Sequence, residues 1–323
     1  MALPFLTISP HFARSMHWVL LLAMAFTSCE KLENGVVNEI EFPEHTPRLA
    51  VTMFVSPGDS VLYASIYQSA GITNSVGSVP LQQATLRLMQ GNTLLVEGDS
   101  TNWVEPEPWN AWNSGPWMKM SLDDPLDLEP GMVVLEVDAS PFFEPLVVVE
   151  ELPEVPVVLH DFEALTDSLE DSHLLTVNLE NRTGLRDDYM IFVELKIEKL
   201  GPDGEDLTYW QDVASEAVSD PRMAYNSGCS CLLATDNGED NVSMNNFLLE
   251  VDAFDDYDDS FEPFYRLRVG RPAPSLVNHF HSIEAYQEAL DNPFSEPTSI
   301  QGNISGGFGI FGISNVVVIP LVD

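Results

Sequence analysis

The sequence predicts a mostly β protein, with an N-terminal immunoglobulin-like β-sandwich followed by a larger β-rich domain carrying one packed helix. Three observations lead there. From residue 46 onward, short runs alternate apolar and polar residues and are divided by proline, glycine and asparagine. One segment near the end shows the three-and-four spacing of an amphipathic helix. Apolar residues make up 45% of the 323, enough for packed cores in a chain long enough for two domains.

Taken in order, residues 1–28 read as a lipoprotein signal peptide. Arg14 precedes a nine-residue apolar run, 18–26, followed by Thr27, Ser28 and Cys29. A helix crossing the hydrocarbon core needs about 20 apolar residues, so the run is too short to span. In this layout the Cys29 thiol takes a diacylglycerol and the peptide before it is removed. Phe26 stands where such signals usually carry leucine. Translation from Met1 or from Met16 gives the same mature protein. Residues 29–45, polar and acidic with Pro43, form a flexible tether.

Residues 46–152 carry the sandwich. Strands are expected at 48–55 and 60–68, joined by Ser56-Pro57-Gly58-Asp59, and at 84–89 and 93–97, joined by Gln90-Gly91-Asn92. Further strands fall at 118–122 and 132–137. Strands this short and regularly spaced suit an immunoglobulin-like sandwich. Within it, the stretch 103–117 gathers Trp103, Trp109, Trp112 and Trp117 among prolines, asparagines and a glycine. Two readings stay open for it: packing back on the sandwich, or a ligand platform, since indoles stack on sugars, other rings and cations.

Leu152-Pro153-Glu154-Val155-Pro156 marks the expected boundary, and 153–323 forms the β-rich C-terminal domain. Strands are expected at 174–179, 191–198, 207–213, 247–251 and 265–269, the last with Arg266, Arg268 and Arg271 outward in surface ion pairs. The helix runs over 276–290, with Leu276, Phe280, Ile283, Tyr286 and Leu290 as its stripe. After a glycine-rich passage a strand at 316–319 ends the chain.

The charge excludes one class of partner. Fifty-one acidic residues against 13 basic leave a net charge of −38, which repels nucleic acid and anionic lipid. Such acidity serves solubility in a salty medium; a surface attracting cations or basic partners is the second reading.

Candidate chemistry is sparse. Gly307-Phe308-Gly309-Ile310-Phe311-Gly312 spells the dinucleotide-binding pattern, but the residues after it are strand-like, not a helix that would hold a pyrophosphate. Its glycines suit a bulge or close backbone approach in a strand. His279 and His281 fall on opposite sides of the expected helix and read as structural. The acidic stretches 236–241 and 252–262 offer oxygens for calcium without the spacing of a calcium loop, so no metal is assigned. Cys229 and Cys231 either join in a tight disulfide or remain thiols; a soft-metal site with Met223 or Met244 lacks a second cysteine pair. No catalytic residues and no cofactor are expected.

Several of these passages together resemble one family: Cys29-Glu30-Lys31, Leu128-Glu129-Pro130-Gly131, Leu152-Pro153, Asn292-Pro293-Phe294-Ser295-Glu296-Pro297, and Asn303-Ile304-Ser305-Gly306 running into the glycine motif. The family is the Bacteroidota lipoprotein family known as domain of unknown function 4249. The resemblance spans nearly the whole mature chain; its terminal passage is the most specific part, and the tryptophan-rich stretch departs from it. It implies a non-catalytic outer-membrane lipoprotein, lipid-anchored through Cys29 and often encoded beside a TonB-dependent receptor. The expected role is therefore ligand capture or an accessory part in nutrient uptake. The alternative is a structural or adhesive envelope protein. Glu30 and Glu33 resemble the acidic signals that carry lipoproteins of this phylum to the outer face.

Overall fold

The computed structural model describes residues 44–71, 77–105, 115–165, 172–182, 184–200, 206–213, 215–217, 220–236, 238, 244–252, 264–291 and 298–321. Cys29, Trp109, Trp112 and most of the two acidic stretches lie outside them. Residues Thr46–Asp323 form one compact unit, which contains all the described strands and the helix.

The first strands are β1 (Leu49–Val55), β2 (Val61–Gln68), β3 (Val79–Pro80), β4 (Thr85–Gln90), β5 (Thr93–Gly98), β6 (Trp103–Val104), β7 (Trp117–Ser121), β8 (Gly131–Asp138) and β9 (Leu146–Leu152). Then come β10 (Val158–Leu165), β11 (Ser172–Leu179), β12 (Asp188–Leu200), β13 (Asp206–Asp212), β14 (Ser215–Ala217), β15 (Met223–Asn226), β16 (Cys231–Thr235), β17 (Phe247–Asp252) and β18 (Tyr265–Pro272). The helix α1 (Pro274–Asp291) and the last strand, β19 (Phe308–Leu321), complete the order. The protein is mostly β, as its sequence predicts.

Three sheets result. The largest runs β15-β16-β12-β18-β19-β1-β2-β7-β6, with β13 also on β12 and β3 also on β2. Two four-stranded sheets, β5-β4-β8-β9 and β10-β11-β17-β14, lie against it. Side chains alternate along a strand, so β19 shows where they sit. Phe311 and Ile313 belong to the core under the first small sheet, and Val317 and Ile319 pack on the core under the second. All four are odd-numbered, hence on one face. Both small sheets therefore cover the same face of the large sheet, side by side. The even-numbered Ile310 points the other way, into a third cluster with Leu276, Val277 and Phe280 of α1.

The expected boundary at 152/153 does not divide the large sheet. β19 lies parallel to β1, with Val51 opposite Gly309 and Val55 opposite Ile313, so the final strand closes the N-terminal core. Phe311 and Ile313 are wholly buried there, and each such burial contributes roughly 1.5–3 kcal/mol. Asn303 fastens the entry to β19. Its side chain exchanges two 2.8 Å hydrogen bonds with the Phe311 backbone, and its Nδ2 donates to Glu150 of β9 at 2.7 Å.

The glycine motif has a packing explanation. A Cβ on Gly309 would lie 2.0 Å from the Val51 carbonyl oxygen, and one on Gly307 would lie 2.3 Å from that of Leu49. Gly312 gives its space to Leu276 and Phe54. The spacing thus serves close approach between parallel strands and the seating of α1.

Candidate functional site

On the face of the large sheet turned away from the two small sheets, β2 and β7 place Tyr63 opposite Lys119. Alternation puts Leu62 and Ala64 into the core, and so turns Tyr63 outward, where it is 46% exposed. Trp117 is partly exposed, with its ring 5.7 Å from that of Tyr63 at an interplanar angle of 60°. The Lys119 ammonium stands 5.9 Å from the Tyr63 ring, within cation–π range. Tyr67, two turns of the pleat along, donates its hydroxyl to the Pro116 carbonyl at 2.6 Å. Burial, with the Glu105 carboxylate adding to it, raises the Tyr67 phenol above its ordinary pKa. Gly115 leaves room for this phenol, since a Cβ there would come within 2.2 Å of its oxygen.

The tryptophans of the 103–117 stretch thus divide. Trp103 pairs with Met118 and packs against the N-terminal core, its indole N–H buried without a hydrogen-bond partner among the described residues. Trp117 faces outward beside Tyr63 and Lys119. Tyr63 and Lys119 do not stand out in the sequence. The signal that would have found them is strand parity: each sits between two core residues.

A second polar cluster lies at the seam between the two small sheets, where the 153–157 link passes. Arg271, expected outward on the surface, is instead 2% exposed. It falls on the inner face of β18 with Tyr265, Leu267 and Val269, between the two cores. Its guanidinium donates to the Tyr189 hydroxyl at 2.5 Å, to Glu180 Oε2 at 3.2 Å and to the Glu154 carbonyl at 3.3 Å. The fully buried Asp187 accepts from the Arg182 backbone N–H at 2.6 Å and from Arg182 Nε at 2.7 Å. A cleft of about 670 Å³ opens here, lined by Arg182, Arg186 and Arg271 together with Glu151, Glu154 and Asp188. Its arginines already have carboxylate partners, including Asp188 on Arg186 at 2.8 Å, so the cluster holds the seam and leaves no surplus positive charge.

Arg266 and Arg268 lie on the other face of β18 but are only partly exposed, and their carboxylate partner is buried, so these are not the surface ion pairs expected. Both pair with Glu194, and each stacks on an aromatic ring, Arg266 over Trp210 at 3.7 Å and Arg268 over Phe192 at 3.9 Å. Of the helix histidines, His279 is buried with Nδ1 2.5 Å from the Gln301 carbonyl, and His281 is turned to Glu284 at 3.7 Å. Among the described residues no group of three or more histidine, cysteine or acidic side chains is placed to hold a metal ion. Cys229 and Cys231 are joined as a disulfide with their Cα atoms 5.2 Å apart. Among the described residues no helix is long and apolar enough to cross a membrane.

No protein-family profile matches the chain, and no curated protein matches it. Solved structures give weak likenesses. Salmonella alpha-2-macroglobulin reacted with methylamine is similar at 12% identity over 88% of this chain, with a TM-score of 0.22. Bovine butyrophilin is similar at 9% identity over 68% of this chain and 91% of its own, with a TM-score of 0.18. The chain spans 15% of the length of the macroglobulin structures it matches. At these scores the likenesses carry no argument.

Proposed function

We propose that this chain is a non-catalytic outer-membrane lipoprotein, anchored through a lipid on Cys29, that captures a ligand for a TonB-dependent nutrient uptake system. The observation that supports it is the outward-facing Tyr63, Trp117 and Lys119 group, seated on two paired strands at the end of the tryptophan-rich stretch. Rings presented on strands lose little conformational freedom on binding, which favours a capture surface. In this reading the N-terminal sandwich is an immunoglobulin-like module that carries the platform. Affinity purification from native membranes is expected to recover a TonB-dependent receptor. Tryptophan fluorescence titrated with candidate nutrients should respond in the wild type and fall silent in Trp117→Ala. Recovery of no transporter would remove the uptake reading.

One observation favours the alternative, a structural or adhesive envelope protein. Leu94, Met89, Val134 and Val149 stand opposite one another in register across β5, β4, β8 and β9. Leu94 and Val149 are about half exposed. An apolar row that crosses all four strands suits contact with another surface. A deletion that alters cell attachment but not growth on any substrate would support this second reading.

A further inference from the structure

The Cys229–Cys231 disulfide closes across a single residue, at the turn that joins β15 to β16. Its two sulfurs have different surroundings. Cys231 is 3% exposed and packs with Met190, Leu233, Leu276, Val277 and Phe280, whereas Cys229 lies partly exposed at the margin of that cluster. The turn is held by contacts that do not depend on the sulfur–sulfur bond. Asn226 Oδ1 accepts from the N–H groups of Gly228 and Cys229 at 3.0 and 3.2 Å, and its Nδ2 donates to Glu284 of α1 at 2.8 Å. Ser227 donates to Gln287 of α1 at 2.6 Å. Between the cysteines, Ser230 has a φ of 51°, in the left-handed region that side chains disfavour.

We propose that this disulfide is a thiol–disulfide exchange site, at which a small thiol adds covalently to Cys229. The incoming thiolate attacks the Cys229 sulfur and a new sulfur–sulfur bond forms there. The bond to Cys231 breaks, and the Cys231 sulfur leaves with the electron pair and takes up the proton that the small thiol gave up. The products are a mixed disulfide on Cys229 and a thiol at Cys231; a second small thiol would release the first as their shared disulfide and leave the dithiol. Access selects Cys229 as the sulfur attacked. Burial then governs the fate of Cys231. An apolar site disfavours the thiolate, and a neutral cysteine packs there as a small apolar residue. The protonated Cys231 is a poor nucleophile, so the adduct persists instead of closing back at once.

The test incubates the full-length protein with 2-mercaptoethanol without denaturant, quenches with acid, and maps adducts by peptide mass. The expected result is an adduct on Cys229, with Cys231 a thiol that a charged maleimide labels only after denaturation. An adduct that forms on Cys231, or none until denaturant is added, would overturn the proposal.

Discussion

Gly309→Ala tests the parallel seam on which the architecture depends. Gly309 has a φ of 94°, and a left-handed backbone costs an L residue roughly 1–2 kcal/mol. Its Cβ would also lie 2.0 Å from the Val51 carbonyl oxygen and 2.8 Å from the carbonyl carbon, both backbone atoms that cannot rotate away. β1 and β19 must therefore part locally, and a lost ladder hydrogen bond costs about 1–1.5 kcal/mol net. Together these give a loss of about 3 kcal/mol. Gly306→Ala is the control. Gly306 also has a positive φ, 71°, but open space around its Cβ position, so only the backbone contribution of roughly 1–2 kcal/mol applies. Equilibrium urea unfolding of the two variants against wild type reads the difference. If Gly309→Ala proves no worse than Gly306→Ala, the close approach of β1 and β19 is not what the glycine provides.

Other parts of the molecule give three further expected outcomes. Arg271→Met removes the hydrogen bonds that its buried guanidinium makes to the Tyr189 hydroxyl, Glu180 and the Glu154 carbonyl, and is expected to cost about 2–3 kcal/mol. Arg87→Met breaks an ion pair whose two side chains are 56% and 49% exposed and should leave stability almost unchanged; equal losses in urea unfolding would contradict the buried seam. Burial raises the Asp59 carboxyl above its ordinary value, against the opposing hydrogen bond from the Ser56 N–H and the Arg268 charge. For an acid whose folded pKa is raised, stability falls as pH climbs from the unfolded value through the folded one. Asp59→Asn keeps an acceptor for Ser56, so it should melt above wild type at pH 7 and lose that advantage in acid below the ordinary aspartate range. A lower melting temperature at pH 7 would refute this. Replacing both Cys229 and Cys231 by alanine removes a three-residue ring worth roughly 1.6 kcal/mol of chain entropy. The double variant should unfold within about 2 kcal/mol of wild type, and a loss of several kcal/mol would mean the bond, not its neighbours, holds the turn.

How much of the fold and of the candidate site was legible in the sequence depended on the range of the signal. The strands around Met53, Leu88 and Leu135 announce themselves because alternation is a property of a few adjacent residues. The helix over Pro274–Asp291 is equally local: Leu276 and Phe280 of its expected stripe meet Ile310, whereas Tyr286 and Leu290, in its later turns, stay exposed. Lys119 and Tyr63 were missed although parity marks both as outward, because pairing β2 with β7 brings together residues far apart in the chain. Arg271 was misplaced for a related reason. Basic residues usually face water, and nothing near it in sequence reveals Tyr189, Glu180 and the Glu154 carbonyl as its partners.

By itself the sequence determined the mostly β class, the single described helix, the acidic character and the strand-like setting of the glycine motif. Each comes from composition or from short-range periodicity, which the chain carries whatever its tertiary path. Only the tertiary structure decided that β19 returns beside β1, that two small sheets share one face of the large sheet, and that the seam between them encloses Arg271. Parallel pairing joins segments more than 250 residues apart, and no local pattern encodes which strand a strand will meet. The choice rests on shape, on glycines that let two backbones touch, and on the hydrogen bonds by which Asn303 fixes the register.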